Sequence, residues 1–223
     1  MRIEAVIFDM DGVLVDSIDI HYRAWRAAVA VYGAVYPREH LDKMHGKSNA
    51  DIAKAICMDF CLHVSPKKLG EEKHLQSYRL LAQARLFPGT IKTLRNLAKR
   101  KIKMGIATSS NRATLKLMWE KFRFKRYFIA GVSCDDVKKA KPAPDLFLLC
   151  AKRLRARPEL SMVVEDSYLG IEAAKRAGMT AVAITNTYPR KKLRGADKII
   201  STITELIDYV DQLEEENGQR QIL

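Results

Sequence analysis

Ala5-Val6-Ile7-Phe8-Asp9-Met10-Asp11-Gly12 decides how the rest of the chain is read. Four consecutive apolar residues, with β-branched Val6 and Ile7 at their centre, fit a short strand buried on both faces of a parallel sheet. The abrupt change to Asp-x-Asp-Gly ends that strand in a polar turn. Ligands of an open parallel sheet gather outside the carboxyl ends of its strands, so this turn is the first place to look for chemistry. Similar apolar runs return at 102–107, 162–164, 180–184 and 198–200. Between them apolar residues recur at helical spacing: Ile91/Leu94/Leu97/Ala98, Leu115/Met118/Phe122 and Leu146/Leu149/Cys150. Strand alternating with helix predicts right-handed crossovers and an α/β, doubly wound parallel sheet.

One stretch breaks the alternation. Residues 16–85 show only helical patterns, Ile18/His21/Tyr22/Trp25/Ala28/Val29/Tyr32 up to Gly33 and then Ile52/Ile56/Phe60. A further helix is announced by Ser65-Pro66, an N-cap followed by proline at the first helical position. Three or four helices inserted after the first strand predict a separate helical lobe over 16–85, with 1–15 and 86–223 forming the α/β core. Pro88-Gly89 marks the return, and 214–223 reads as a polar helix end that frays.

The chain has 223 residues, 48% of them hydrophobic and 29% charged, ample for a buried core and unlike fibrous or unfolded chains. No run of about 18 apolar residues is present to span a bilayer, and the acidic opening lacks the cationic, then apolar, pattern of a secretory leader. The expectation is a cytoplasmic protein, monomeric, with no membrane association. Cys57, Cys61, Cys134 and Cys150 form no Cys-x-x-Cys pair, so reduced, buried thiols are expected, including Cys57 and Cys61 four apart on a helix. Thirty-nine basic against 26 acidic residues give a formal charge of +13, which suits a polyanion, an anionic substrate or a solvated basic surface. The basic clusters at 99–101, 123–126, 152–157 and 190–194 fall mostly at predicted helix ends, where cations complement the helix dipole. Nucleic-acid binding is therefore disfavoured.

The positions just after the strands are unusually polar: Asp9 and Asp11; Thr108, Ser109, Ser110 and Asn111; Glu165 and Asp166, with Lys141 before Pro142. Carboxylates converging on one rim raise each other's pKa unless a cation is present. A hard divalent ion answers this, and Mg²⁺, which takes oxygen ligands and keeps phosphate oxygens in its shell, suits such a rim and a phosphorylated substrate. Taken alone, Asp-x-Asp-Gly is also good turn chemistry, and Thr108 reads as an N-cap for a helix at 112–122.

Asp9-Met10-Asp11-Gly12-Val13-Leu14-Val15-Asp16-Ser17, Thr108, Lys141-Pro142 and Glu165-Asp166-Ser167 with Gly170 and Ala174 resemble the four motifs of the haloacid-dehalogenase-like phosphatases. The helical insertion carrying His21 and Trp25 is similar to that of the β-phosphoglucomutase and phosphoglycolate-phosphatase branch. The resemblance spans nearly the whole chain. It implies that Asp9 is a nucleophile forming an aspartyl-phosphate and that Asp11 is the general acid and then the base. It further implies Mg²⁺ held by Asp9, Glu165, Asp166 and the backbone carbonyl of Asp11. For these roles Asp9 needs a low pKa and Asp11 a raised one. Thr108 and the backbone N–H groups of the following residues would hold the phosphoryl oxygens, and Lys141 would offset their charge. Ser167 would orient the metal-binding acids. Gly12, Ser109, Ser110 and Asn111 are further candidate substrate contacts.

The cap would close over the site and read the leaving group. His21 resembles a histidine of this branch that faces the second aspartate, and Gly46, Lys47 and Ser48 stand in the cap's substrate loop. In the sugar-phosphate mutases of the branch that loop carries a lysine and an arginine for a second phosphate, whereas this chain has His45 and Asn49. Asn cannot reproduce the planar donor fork of Arg, so the expectation is a phosphatase for a small phosphorylated metabolite, with a β-phosphoglucomutase-like mutase as the alternative. Branches lacking the second aspartate are disfavoured by Asp11.

Overall fold

The computed structural model describes residues 3–220. Six parallel strands form the sheet, β1 (Ala5–Phe8), β4 (Lys103–Ala107), β5 (Ala130–Val132), β6 (Ser161–Glu165), β7 (Thr180–Ile184) and β8 (Lys198–Ile200), in the order β5-β4-β1-β6-β7-β8. The remaining two, β2 (Val15–Asp16) and β3 (Arg85–Leu86), pair antiparallel in a small second sheet. This is the doubly wound sheet that the apolar runs predict. The first strand lies in the middle, with Phe8 in register with Ile106 on one side and Val164 on the other. That register brings Asp9, Thr108 and Glu165, from three well-separated parts of the sequence, to one end of three adjacent strands.

Both faces of β1 are buried, as its unbroken apolar run requires. Val6 and Phe8 enter one core with Leu94, Leu97, Leu115, Met118 and Leu206, from α5 (Thr90–Lys99), α6 (Arg112–Lys121) and α9 (Glu205–Arg220). Ala5 and Ile7 enter the other with Leu146, Phe147, Ile171 and Ala174, from α7 (Asp145–Leu154) and α8 (Tyr168–Arg176). The short β5 escapes the sequence reading because three residues with Gly131 at the centre carry no strand signal of their own. Its place is set by pairing with β4, an instance of tertiary context overriding local propensity.

Between β2 and β3 come four helices, α1 (Ile18–Ala30), α2 (Arg38–Met44), α3 (Asn49–Asp59) and α4 (Pro66–Leu81). They share a third core that includes Trp25, Val29, Tyr36, Ile56 and Leu69. Ser65 caps α4 by accepting a hydrogen bond from the Lys68 N–H, with Pro66 at the helix start. The β2–β3 pair joins the two chain segments that enter and leave this helical unit.

Two local readings are corrected. Thr108 does not cap α6; Asn111 does, its side chain accepting from the Thr114 N–H at 2.9 Å. The thiols are all free, but only Cys150 is buried, and Cys61 is exposed beyond the end of α3 at φ 49°. The predicted polar tail is helical to Arg220, and residues 221–223 lie outside the described residues. Arg153 and Arg157, from one basic cluster, pair with Asp136 and Glu4.

Candidate active site

Three acids meet at the end of the central strands. Asp9 leaves β1, Glu165 ends β6 and Asp166 follows it; all are buried, and one carboxylate oxygen from each lies within 4.8 Å of the others. Buried Lys141 donates to Asp9 Oδ1 at 2.5 Å and to Glu165 Oε1 at 2.6 Å. The other oxygen of Glu165 accepts from the Ser167 N–H at 2.7 Å and the Ser167 hydroxyl at 2.8 Å. That hydroxyl also caps α8 by accepting from the Gly170 N–H, so one serine starts a helix and fixes an acid. Three carboxylates against one ammonium leave a formal charge of −2. Burial, together with the charges of Glu165, Asp166 and Asp11, holds the Asp9 carboxyl well above its ordinary range despite Lys141. Burial lowers Lys141, but Asp9 and Glu165 outweigh that and raise it.

Gly170 is required by this packing, because a Cβ there would lie 1.9 Å from the Glu165 carboxylate, which is pinned on both oxygens. Gly170→Ala is expected to lower unfolding stability by about 1–3 kcal/mol, the usual cost of overpacking a filled site. Chemical denaturation would measure it, and an unchanged midpoint would refute the clash.

Asp11 is set apart from the cluster by its own donors. Ser17 Oγ (2.5 Å) and His21 Nε2 (2.9 Å) donate to Oδ1, while Ser110 Oγ (2.7 Å) and the Thr108 hydroxyl (3.4 Å) donate to Oδ2. Burial raises the carboxyl, but His21 and the hydroxyl donors outweigh it and hold Asp11 well below the usual carboxylate range. The expected division, Asp9 low and Asp11 raised, is thus reversed in this arrangement: Asp9, in a cluster of three acids, shares its lysine with Glu165, whereas Asp11 has four donors to itself. His21 Nδ1 accepts from Lys73 Nζ at 3.1 Å, and Lys73 also donates to Asn49 Oδ1 at 3.2 Å. Because an ammonium can only donate, Nε2 carries the imidazole proton toward Asp11. Burial and Lys73 push His21 below its ordinary value, consistent with a neutral donor. Burial likewise lowers Lys73 to about 8.

A cleft reaches this centre. Asp9, Asp11, Thr108, Ser109, Ser110, Glu165 and Asp166 line its floor; His21, His45, Gly46, Lys47 and Asn49 line the helical side, with an apolar wall of Ile18, Trp25, Leu41 and Ile52. Ser109 donates its hydroxyl to the Gly46 carbonyl at 2.9 Å. Gly46 has φ +90°, and a Cβ there would meet Ser167 Oγ at 2.7 Å, so the loop approaches the core as only glycine can. Gly12, at φ +84°, packs against Asp166, and its carbonyl accepts from Asn186 Nδ2 at 2.8 Å. Three expected substrate contacts do not line the cleft: Gly12 is held as just described, Ser48 caps α3, accepting from the Asp51 N–H, and Asn111 caps α6.

The sequence reading omits several residues found here. Lys73 lies on the buried stripe Leu69/Lys73/Ser77/Leu81 of α4, and its setting in Glu-Glu-Lys-His carries no signal of that burial. Asn186 and Thr187 follow β7 and so occupy the same post-strand position as the motifs. Thr187 donates to Asp166 Oδ2, and His45 Nε2 donates to that same oxygen at 2.9 Å. Burial lowers His45, but Asp166 dominates and raises it to about 9.

Residues 6–184 match the family model of the haloacid dehalogenase-like hydrolases. A fructose-1-phosphate phosphatase, YqaB, of Escherichia coli K12 is 33% identical over 82% of this chain and 97% of its own. A β-phosphoglucomutase of Bacillus subtilis is 29% identical, covering 91% of each chain. The crystal structure of a hydrolase from Pseudomonas syringae superposes with a TM-score of 0.85 at 27% identity, covering 94% of this chain and 98% of the other. No helix among the described residues is long and apolar enough to cross a membrane.

Proposed function

The chain belongs to the haloacid dehalogenase-like hydrolases, and from that premise we propose that it is a Mg²⁺-dependent phosphatase hydrolysing small phosphomonoesters through an aspartyl-phosphate on Asp9. The observation that carries this reading is the separation of two neighbouring aspartates into different environments. Asp9 sits in an acidic cluster with Lys141, and Asp11 in a shell of hydroxyl and imidazole donors.

The donor set fits a hard divalent cation: three buried carboxylates with no sulfur among them, whose negative charge Lys141 and His45 together offset only in part. Asp9, Glu165, Asp166 and the Asp11 carbonyl would hold it. Bound there, the ion would lower the Asp9 pKa so that the carboxylate is ionised for attack, and would offset charge on the phosphoryl group. The chain's own groups do the rest. Asp9 attacks phosphorus and forms a new O–P bond as the bond to the leaving oxygen breaks. The leaving oxygen takes a proton from the Asp11 carboxyl, which a neighbouring phosphate dianion raises toward an acid's range. Asp11 then accepts a proton from the water that attacks phosphorus, and the Asp9 carboxylate is restored. Thr108 and the Ser109 N–H would face the transferring oxygens, the Ser110 N–H being held by Thr108 Oγ1 at 3.0 Å, and Lys141 would balance their charge.

Hydrolysis rather than mutase chemistry is supported by the cap loop: His45 is turned onto Asp166 and Asn49 onto Lys73, leaving no guanidinium fork for a second phosphate. The apolar wall with Asn49 and Lys47 suits a sugar or polyol leaving group. Four free thiols suit the reducing cytoplasm. With Mg²⁺, the purified protein should release phosphate from members of a panel of sugar, polyol, glycolate and nucleotide monophosphates, and chelator should stop it. Silence across the panel overturns the reading. Formation of glucose 6-phosphate from β-glucose 1-phosphate with a bisphosphate primer, without phosphate release, would establish the mutase instead.

A further inference from the structure

The segment after β7 touches three functional places at once. Asn186 holds the Gly12 carbonyl beside the two catalytic aspartates, Thr187 donates to Asp166 Oδ2, and the next residue, Tyr188, reaches across to the helical cap. Its hydroxyl donates to the carbonyl of Asp42 in α2. Its ring meets His45 edge-on, with centroids 5.7 Å apart, and Tyr168 at 5.9 Å. The Tyr168 hydroxyl in turn donates to the Lys43 carbonyl at 3.4 Å. Tyr188 is only 4% exposed, so its phenol is enclosed between core and cap. These are backbone contacts from the core to the last turn of the helix that delivers His45, and His45 lands on the acid that Thr187 already holds.

We infer that Tyr188 is a positioning residue that couples cap closure to the acidic cluster: it latches the Asp42–His45 end of the cap onto the core and so sets His45 against Asp166. The inference rests on the function proposed above but assigns a role outside the four motifs. Opening the cap breaks the Tyr188–Asp42 bond and the His45–Asp166 bond together, because one helix end carries both partners. The closed form is then the form in which Asp166 has both Oδ2 donors, leaving Oδ1 for a cation.

Tyr188→Phe keeps the ring and removes only the hydroxyl. With the closed form less populated, apparent substrate affinity falls in proportion. KM is therefore expected to rise about three- to tenfold, the range of one net hydrogen bond, with kcat within about twofold. The decisive measurement is calorimetric binding of Mg²⁺ without substrate. Tyr188→Phe and His45→Gln should move the Kd in the same direction and by a similar factor, about threefold or more, because each removes His45 from Asp166. X-ray scattering should show a larger radius of gyration for Tyr188→Phe. A packing role alone would lower the melting temperature and leave KM and the Mg²⁺ Kd in place, and that result overturns the inference. So does a shifted Kd in His45→Gln with none in Tyr188→Phe. Should the parent protein bind no Mg²⁺, the proposed function fails first and takes the inference with it, which separates the two failures.

Discussion

Asp9→Asn is expected to lower phosphate release by about 10⁴-fold or more, as loss of a nucleophile does, while leaving the protein as stable as the parent or more so. The first half follows from chemistry: the amide cannot form the acyl-phosphate. The second follows from electrostatics. Asp9 is buried beside Glu165 and Asp166, and this environment holds its carboxyl above the ordinary range, so the folded protein disfavours the charge that asparagine removes. Lys141 retains Glu165 at 2.6 Å, and no buried cation is left unpaired. Activity and stability therefore move apart, the pattern of a functional site holding strain for its chemistry. Phosphate release and denaturant unfolding on the same preparation check both halves. A large fall in stability would make Asp9 a structural acid, and retained turnover would remove it from the reaction.

The same asymmetry explains what could be read from the sequence. The alternation of apolar runs with helical spacing predicts the sheet because burial on both faces leaves a continuous signature, and β1 places Ala5 and Ile7 in one core and Val6 and Phe8 in the other. Asp9, Thr108 and Glu165 were legible as neighbours because strand ends in a parallel sheet are brought together by register alone. What could not be read is competition among side chains. Asn111 and Ser48 each sit at a site-like position, yet each is spent on a helix start, and only the local backbone decides that. Lys73 looks like an ordinary surface lysine in Glu-Glu-Lys-His until α4 turns it inward onto His21. The pKa order of Asp9 and Asp11 depends on counting donors in three dimensions, and spacing carries no such count.

Lys141→Met should produce the largest loss of stability of any single substitution in the site. The lysine is 4% exposed and bonded to two buried acids; removing one partner of a buried ion pair costs about 3–5 kcal/mol because the remaining charge is stranded. Methionine fills much of the volume, so the loss is electrostatic rather than a cavity effect. It should therefore depend on pH with a definite sign. Asp9 already has a folded pKa above its unfolded value, and without Lys141 it rises further. A carboxyl whose folded pKa is raised favours the folded state only while it is protonated. The two should thus run together from pH 4, the unfolded carboxyl value, while Asp9 is protonated in both, and the variant should fall progressively behind as pH rises above the parent's folded Asp9 pKa toward the variant's higher one. A divalent cation that binds the same acids should recover much of the loss, in proportion to the logarithm of its concentration over Kd. Unfolding followed from pH 4 to 8, with Mg²⁺ and with chelator, tests each step. A destabilisation that is flat with pH and indifferent to Mg²⁺ would mean that Lys141 acts by packing, including its contact with the Phe147 ring at 5.0 Å, and that the acidic cluster is not organised around positive charge.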